Sequence, residues 1–159
     1  MSIGASMKSS TPLTIYIATS ASRNLYAYML LRDRLVDMGH RVLDWAKLLP
    51  PLPAGTPAGE RRAAINSDEY GKVFDFCAEA AASADLVIYL GPAGQDAAAE
   101  IGMAYNAGVC TYGLQGVGEE LGTILGRAVE RWFTSYRDLL AAVEELAQEE
   151  EEEEGEGDI

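Results

Sequence analysis

The sequence predicts a single α/β domain built around a parallel sheet of about five strands. Short apolar, β-branched runs alternate along the chain with helical patterns, and this alternation is typical of a parallel sheet with helices on both faces. The clearest run, 85–90, is almost continuously apolar, which indicates a strand buried on both sides. The length of 159 residues fits one domain, large enough to fold without disulfide bonds.

The elements are predicted in order from these runs and from Gly, Pro and capping residues. The strands are 13–18, 41–45, 85–90, 109–114 and a short fifth strand at 132–133. The helices are 24–38, one capped by Asn66 or Ser67, 96–107, one ending near Glu130, and 135–147. Segment 46–65 contains four prolines and two glycines and predicts a long loop. This succession predicts a flavodoxin-like or Rossmann-like three-layer sandwich with right-handed crossovers.

The apolar period of the first two helices predicts which side chains face the sheet. For the first helix these are Leu25, Met29, Leu31, Leu35 and Met38. For the helix before the third strand they are Tyr70, Val73, Phe74, Cys77 and Ala81.

The two ends of the chain are predicted to lie outside the folded domain, which spans 13–147. Residues 1–12 form a flexible leader without the apolar stretch of a signal peptide, and 148–159 form a disordered acidic tail. Eight acids within 149–158 contribute to the net charge of −13, so the rest of the chain carries −5. We expect the tail to be a solvated segment, with a docking role as the alternative.

Composition disfavours several classes of partner and cofactor. Lys and Arg are not clustered, so binding to a nucleic acid polymer is not expected. No apolar run approaches the ~18 residues of a membrane span. Two cysteines without CxxC spacing and a single histidine do not suggest a zinc site, and no metal or cofactor is expected. We therefore expect a soluble, cytoplasmic protein with reduced thiols.

Ligands of such sheets bind beyond the carboxyl ends of the strands. Three predicted loops converge there: 19–24, 46–66 and 91–96. In the first loop, Ser20, Ser22 and Arg23 are candidates for binding a phosphate or a sugar. The alternative is that Ser22 caps the following helix while Arg23 is solvated.

Three further residues are candidates for contact with a ligand at this edge. Trp45 ends the second strand, where it would stack on a base or, equally well, belong to the core. Gly91 and Gly94 follow the third strand and allow a tight turn and a close approach of the backbone to a ligand.

Glu100 is the principal candidate for chemistry, because it is the single charged residue in 97–110. The helix around it is apolar on most sides, which predicts a buried helix. Burial favours the neutral form of Glu100, and the helix N-terminus favours its carboxylate. The alternative role is stabilisation of the helix dipole alone. Asp96 lies four residues earlier on the same side and is a ligand-binding candidate, with N-capping as its alternative.

The strand 84–90, the glycine-rich turn after it and the helix 96–108 resemble the nucleoside 2-deoxyribosyltransferase superfamily, which includes nucleotide N-glycosidases. The resemblance covers roughly 13–147, but its specific part is the pattern Glu100-x-Gly102-x-Ala104 followed by Gly108. It implies a homo-oligomeric enzyme that cleaves or transfers the N-glycosidic bond of (deoxy)nucleosides or nucleotides.

The resemblance also implies roles for individual residues. Glu100 is the nucleophile, and Tyr16 with the 19–24 loop holds the sugar or a 5′-phosphate. The family has a second acid eight residues before the strand-three aspartate, where this chain has Cys77. Asp75 is the nearest acid that would replace it. From the residues alone, Tyr16 fits the core and Asp75 fits a solvated helix face.

Two other hypotheses follow from the sequence. The absence of an acid at Cys77 favours a catalytically altered relative that binds a nucleotide-like ligand. A flavodoxin-like interaction domain is the second alternative.

Overall fold

The computed structural model describes residues 10–48, 50, 52–53 and 55–156, and its elements follow the predicted order. The strands are β1 (Thr14–Ala18), β2 (Arg41–Val42), β3 (Leu86–Leu90), β4 (Cys110–Leu114) and β5 (Arg131–Phe133). The helices are α1 (Ala21–Asp37), α2 (Ala58–Ile65), α3 (Asp68–Ser83), α4 (Gln95–Asn106), α5 (Thr123–Ala128) and α6 (Tyr136–Glu156). A short 3₁₀ helix, Trp45–Lys47, follows β2.

The five strands form one parallel sheet in the order β2-β1-β3-β4-β5, so the predicted fold class is confirmed. Helices α3 and α4 pack side by side, α1 contacts β2, and α6 contacts β4 and β5. The chain leaves β1 toward one edge of the sheet and returns past it to β3. A crevice therefore opens between the carboxyl ends of β1 and β3, which is where ligands bind in open α/β sheets.

The core is centred on β1 and β3. All five residues of β3, Leu86–Leu90, are buried, as a strand covered by helices on both faces requires. Each fully buried Leu, Ile or Val side chain stabilises the fold by roughly 1.5–3 kcal/mol. This rigid pair of strands holds the loops that follow it.

The inner face of α1 differs from the prediction. Tyr28, Leu31 and Leu35 are buried, whereas Leu25 and Met29 are exposed. The buried residues are three and four positions apart and begin at Tyr28. The prediction was wrong because it left this aromatic residue out of the inner face. Phe74 of α3 is likewise exposed rather than facing the sheet.

The region after β2 is more ordered than predicted. The strand stops at Val42, because Asp44 accepts a hydrogen bond from the backbone N–H of Ala46 and starts the 3₁₀ helix. The predicted loop 46–66 contains α2, and Ser67 caps α3 as one of the two predicted alternatives. Leu49, Pro51 and Ala54 lie outside the described residues.

The last helix is longer than predicted. It begins after Ser135, whose hydroxyl accepts a hydrogen bond from the N–H of Asp138, and it continues to Glu156 rather than ending near Ala147. Leu139, Val143 and Ala147 anchor its inner side, and glutamates favour helix once it is started. The leader segment 1–9 and residues 157–159 lie outside the described residues. None of the helices that are described combines the length and apolarity needed to cross a bilayer.

Candidate active site

Two of the three predicted loops are tied together at the crevice. The Thr19 hydroxyl donates a hydrogen bond to the carbonyl oxygen of Leu90 over 2.7 Å. The side-chain amide of Asn24 donates to the carbonyl oxygen of Pro92. The loop after β1 is therefore fixed directly against the turn after β3.

Glu100 lies on α4 beside this crevice. Ala97, Ile101 and Ala104 bury one face of the helix against the sheet, and Glu100 is half-buried at the edge of that face. The outer side of α4 is exposed, so the helix is less buried than the sequence predicted. No ion pair with Glu100 is formed by the residues described.

The surroundings of Glu100 favour its protonated form. Burial is the main cause and, with the negative charge of Asp96, raises the pKa of Glu100 to about 8, although the nearby Tyr16 hydroxyl acts in the opposite direction. The sequence left open whether burial or the helix N-terminus would dominate. In the free protein, burial dominates.

Tyr16 is fully buried on β1, with its hydroxyl next to Glu100 and Cys77. The hydroxyl lacks a hydrogen bond of standard geometry to any described residue. Burial, followed by the charge of Glu100, raises the pKa of Tyr16 far above its ordinary value, so the phenol stays neutral. A neutral buried hydroxyl without a hydrogen bond of standard geometry is available to a bound ligand, because leaving it unpaired costs roughly 1–3 kcal/mol.

Cys77 completes the group from α3. Its thiol is half-buried and interacts with Tyr16 and Glu100, and burial is the main cause that raises its pKa. The charges of Glu100 and Asp96 raise it further, whereas the Tyr16 hydroxyl lowers it. The sequence identified Cys77 as a departure from the family pattern, and its contacts place it inside the same cluster as Glu100.

Asp75 is not brought to this cluster. It is exposed on α3 and precedes Cys77 by two residues, which is about 200° around a helix. Since Cys77 faces Tyr16, the carboxylate of Asp75 points away from it. Asp75 therefore lies on a solvated helix face, as its alternative assignment predicts.

Ser20 occupies the N-cap position of α1, but its side chain makes no capping hydrogen bond. Its hydroxyl is instead 3.2 Å from that of Ser22. Capping by Ser22 was therefore wrong. Ser22 and Arg23 are exposed in the first turn, so these hydroxyl groups and Arg23 remain candidates for binding an anion.

Trp45 is in the core, and this settles the alternative left open by the sequence. The ring is 4% exposed, and its N–H donates a hydrogen bond to the carbonyl oxygen of Ile17 over 2.8 Å. Its centroid lies 4.4 Å from that of Tyr28. Stacking on a base would require breaking this packing.

The turn after β3 contains two glycines with different surroundings. A Cβ on Gly91 would collide with the carboxylate of Glu119 and lie 2.9 Å from the backbone nitrogen of Gly116. Gly91 is therefore required by protein packing. Gly94 has open space around it and is the N-cap residue of α4, a position that the sequence gave to Asp96 as an alternative.

Glu119 is a structural residue of this edge that sequence reasoning missed. Glu119 accepts a hydrogen bond from the Tyr89 hydroxyl over 2.8 Å, and the Ala93 N–H donates to the same hydroxyl. Glu119 belongs to the loop after β4, which also ends at this side of the sheet. Because all the strands are parallel, the loop after β4 lies at the same edge as the loops after β1 and β3, and this arrangement alone predicts a role for it.

A separate surface groove of about 310 Å³ is lined by residues of α1 and of the segment after it, among them Arg32, Asp33 and Asp44. Arg32 forms ion pairs with both aspartates. The groove does not include Glu100.

Comparison with known proteins supports the resemblance at the level of fold. No protein-family model matches the chain, and no curated protein matches it. Among solved structures, a 2-deoxyribosyltransferase from Bacillus psychrosaccharolyticus is 20% identical, with a TM-score of 0.56 over 79% of this chain and 89% of that chain. The chain therefore shares its fold with a 2-deoxyribosyltransferase.

Two further solved structures are similar. A conserved protein from Enterococcus faecalis V583 is 18% identical, with a TM-score of 0.55 over 82% of this chain and 96% of that chain. A CMP N-glycosidase from Clostridium botulinum is 14% identical, with a TM-score of 0.48 over 82% and 97%.

Replacing Gly91 with alanine should destabilise the protein. The added methyl group would displace Glu119 or the Gly116 backbone, so we expect the free energy of unfolding to fall by about 1–3 kcal/mol. Gly71→Ala is the control, since Gly71 lies within α3 with no atom near its missing Cβ, and it should be neutral or stabilising. Chemical denaturation of both variants checks this, and equal stability would contradict the packing described.

Removing the buried carboxyl should stabilise the protein at high pH. The pKa of Glu100 is about 8 in the folded chain, against an ordinary value of 4.5. The contribution of protonated Glu100 to the free energy of unfolding is therefore fully present below pH 4.5 and is lost as the pH rises through 8. We expect Glu100→Gln to raise Tm by roughly 3–10 °C at pH 9 and to leave it unchanged at pH 4. Exposed Glu120, changed to Gln, is the control. A pH-independent difference between Glu100→Gln and the parent would refute the raised pKa.

Proposed function

We propose that the protein is an enzyme that cleaves or transfers the N-glycosidic bond of nucleosides or nucleotides, with Glu100 as its nucleophile. The observation that carries the proposal is the half-buried carboxyl of Glu100 beside the buried hydroxyl of Tyr16, at the crevice between β1 and β3. The shared fold with a 2-deoxyribosyltransferase supports it.

The chemistry follows from a carboxylate that is poorly solvated. When the base leaves, positive charge develops at C1′ of the sugar, and a carboxylate in a low-dielectric site stabilises that charge strongly. Glu100 is protonated in the free protein, so it gives up its proton as the base departs with the electrons of the C1′–N bond, and the base takes up a proton. The Glu100 oxygen then forms a bond to C1′ and gives a covalent glycosyl-enzyme, as in retaining glycosidases. Water releases the free sugar, whereas a second base gives a new nucleoside.

The neighbouring groups are suited to hold the sugar. In this proposal the neutral Tyr16 hydroxyl donates a hydrogen bond to the attacking carboxylate or accepts one from the substrate. Ser20, Ser22 and Arg23 lie at the N-terminus of α1, where a 5′-phosphate or a 5′-hydroxyl would bind. The open space at Gly94 leaves room for the base or sugar beside α4.

A second candidate function is binding of a nucleotide without turnover. Cys77 favours it, because a neutral thiol stands beside Glu100 where the family pattern has a carboxyl group. This alternative predicts that nucleotides raise Tm without any release of base.

Base release should depend on Glu100. We expect Glu100→Ala and Glu100→Gln to lower base release by about 1,000-fold or more, because both remove the nucleophile. Chromatography of free base from a panel of deoxynucleosides, ribonucleosides and their 5′-monophosphates provides the measurement. Exposed Glu120→Gln should retain full activity.

The outcomes separate the two candidates. An active parent enzyme with inactive Glu100 variants supports catalysis. An active Glu100→Gln variant would exclude Glu100 as the nucleophile. Stabilisation by nucleotides with no release of any base would favour the binding function.

A further inference from the structure

Helix α4, which carries Glu100 on its second turn, begins without a side-chain cap. Its N-cap residue is Gly94, which has no side chain that could accept a hydrogen bond from the first turn. The position at which α4 begins is therefore set by the backbone of the turn 91–94 that precedes it. The contacts that hold this turn also help to hold Glu100.

The hydroxyl of Tyr89 connects this turn to the loop after β4. It donates a hydrogen bond to Oε1 of Glu119 over 2.8 Å and accepts one from the backbone N–H of Ala93 over 3.3 Å. The other oxygen of Glu119, Oε2, accepts a hydrogen bond from the N–H of Gly116 over 3.3 Å. These three hydrogen bonds form a chain from the loop after β4 to the turn, and we call this chain the Glu119–Tyr89 link.

Both side chains of the link are held in place. The Tyr89 side chain is buried on β3, and its ring meets the edge of Trp132 with the two centroids 5.6 Å apart. The side-chain amide of Gln115 donates a hydrogen bond to the backbone carbonyl oxygen of Glu119 over 2.9 Å. A carboxylate acceptor also makes the bond from the Tyr89 hydroxyl stronger than one between neutral groups. The link therefore fixes the backbone N–H of Ala93 relative to β3 and β4.

The loop after β1 holds the same turn from the other neighbour of β3. The Thr19 hydroxyl donates to the carbonyl oxygen of Leu90, and the Asn24 amide donates to that of Pro92. Since β1 and β4 flank β3 in the sheet, the turn is fastened by the loops of both neighbouring strands. Loss of the link would leave it fastened by one of them.

We propose that Glu119 and Tyr89 are positioning residues, which act through the turn 91–94 to set where α4 begins and hence where the Glu100 carboxyl group lies in the crevice. The proposal rests on the proposed function, in which Glu100 attacks C1′. Neither residue contacts the reacting atoms in this account. Ala97, Ile101 and Ala104 still anchor α4 to the core when the link is lost, so the expected effect is a displacement of the helix start and not unfolding.

Tyr89→Phe removes the hydroxyl at the centre of the link and keeps the ring. A misplacement of about 1 Å can slow a reaction by about 100-fold, so we expect kcat for base release to fall by about 10- to 100-fold, with KM within about threefold of the parent. Glu119→Ala should have the same effect, and the double variant should be no slower, because both changes remove one shared interaction. Glu119→Gln should keep kcat within about threefold, because its side-chain carbonyl still accepts from Tyr89.

Thr111→Val is the matched control. The Thr111 hydroxyl also donates one hydrogen bond and accepts one, to the carbonyl oxygen of Ala128 over 2.8 Å and from the N–H of Glu130 over 3.2 Å. Thr111 lies near the amino end of β4, away from the crevice. We expect this variant to lower Tm about as much as Tyr89→Phe does while leaving kcat and KM unchanged. An equal loss of kcat in the two variants would overturn the proposal, since general destabilisation would then explain it.

A second readout does not depend on turnover. We expect NMR titration of the Glu100 carboxyl in Tyr89→Phe to show its pKa lowered by about one pH unit relative to the parent, because a displaced turn admits water. Thr111→Val should titrate like the parent. An active parent with an unaffected kcat in Tyr89→Phe would overturn the positioning role alone. If the parent releases no base, the proposed function fails, and an unchanged titration of Glu100 in Tyr89→Phe would then overturn the positioning of this group as well.

Discussion

The candidate site is centred on a carboxyl group that the fold partly removes from water without supplying a counter-charge. Glu100 faces a buried phenol and a buried thiol, and the charge of Asp96 opposes its ionisation. Burying an ionisable group in this way costs free energy unless the group is neutral. Folded proteins retain such costs mainly at sites where the perturbed group does chemistry.

The parallel sheet explains how the residues are brought together. Tyr16 comes from β1, Cys77 from α3 and Glu100 from α4, so the cluster exists only because β1 and β3 are neighbours. Thr19 and Asn24 fasten the loop after β1 to the turn after β3. The crevice is thus held by hydrogen bonds from loops as well as by the apolar strands.

The sequence predicted the strands, their parallel arrangement and the position of Glu100 on a helix beside the sheet. These predictions were possible because apolar runs and a lone charge within an apolar helix are local signals. It missed interactions between distant segments. Nothing near Cys77 in the sequence shows that its thiol meets Tyr16, and the packing of Trp45 against Tyr28 depends on how α1 is placed. The prolines around α2 led to the prediction of a loop there. The run of acids at the end of α6 led to the prediction of a solvated tail instead of a longer helix.

The central claim, a carboxyl held neutral at the crevice, can be measured directly. Titration of the side-chain carboxyl carbons by NMR, with the Glu100 signal assigned from its loss in Glu100→Gln, gives the pKa of this group in the free protein. We predict a value near 8. A value near the ordinary 4.5 would contradict this claim, because it would show that Glu100 is solvated or paired and not held neutral by burial.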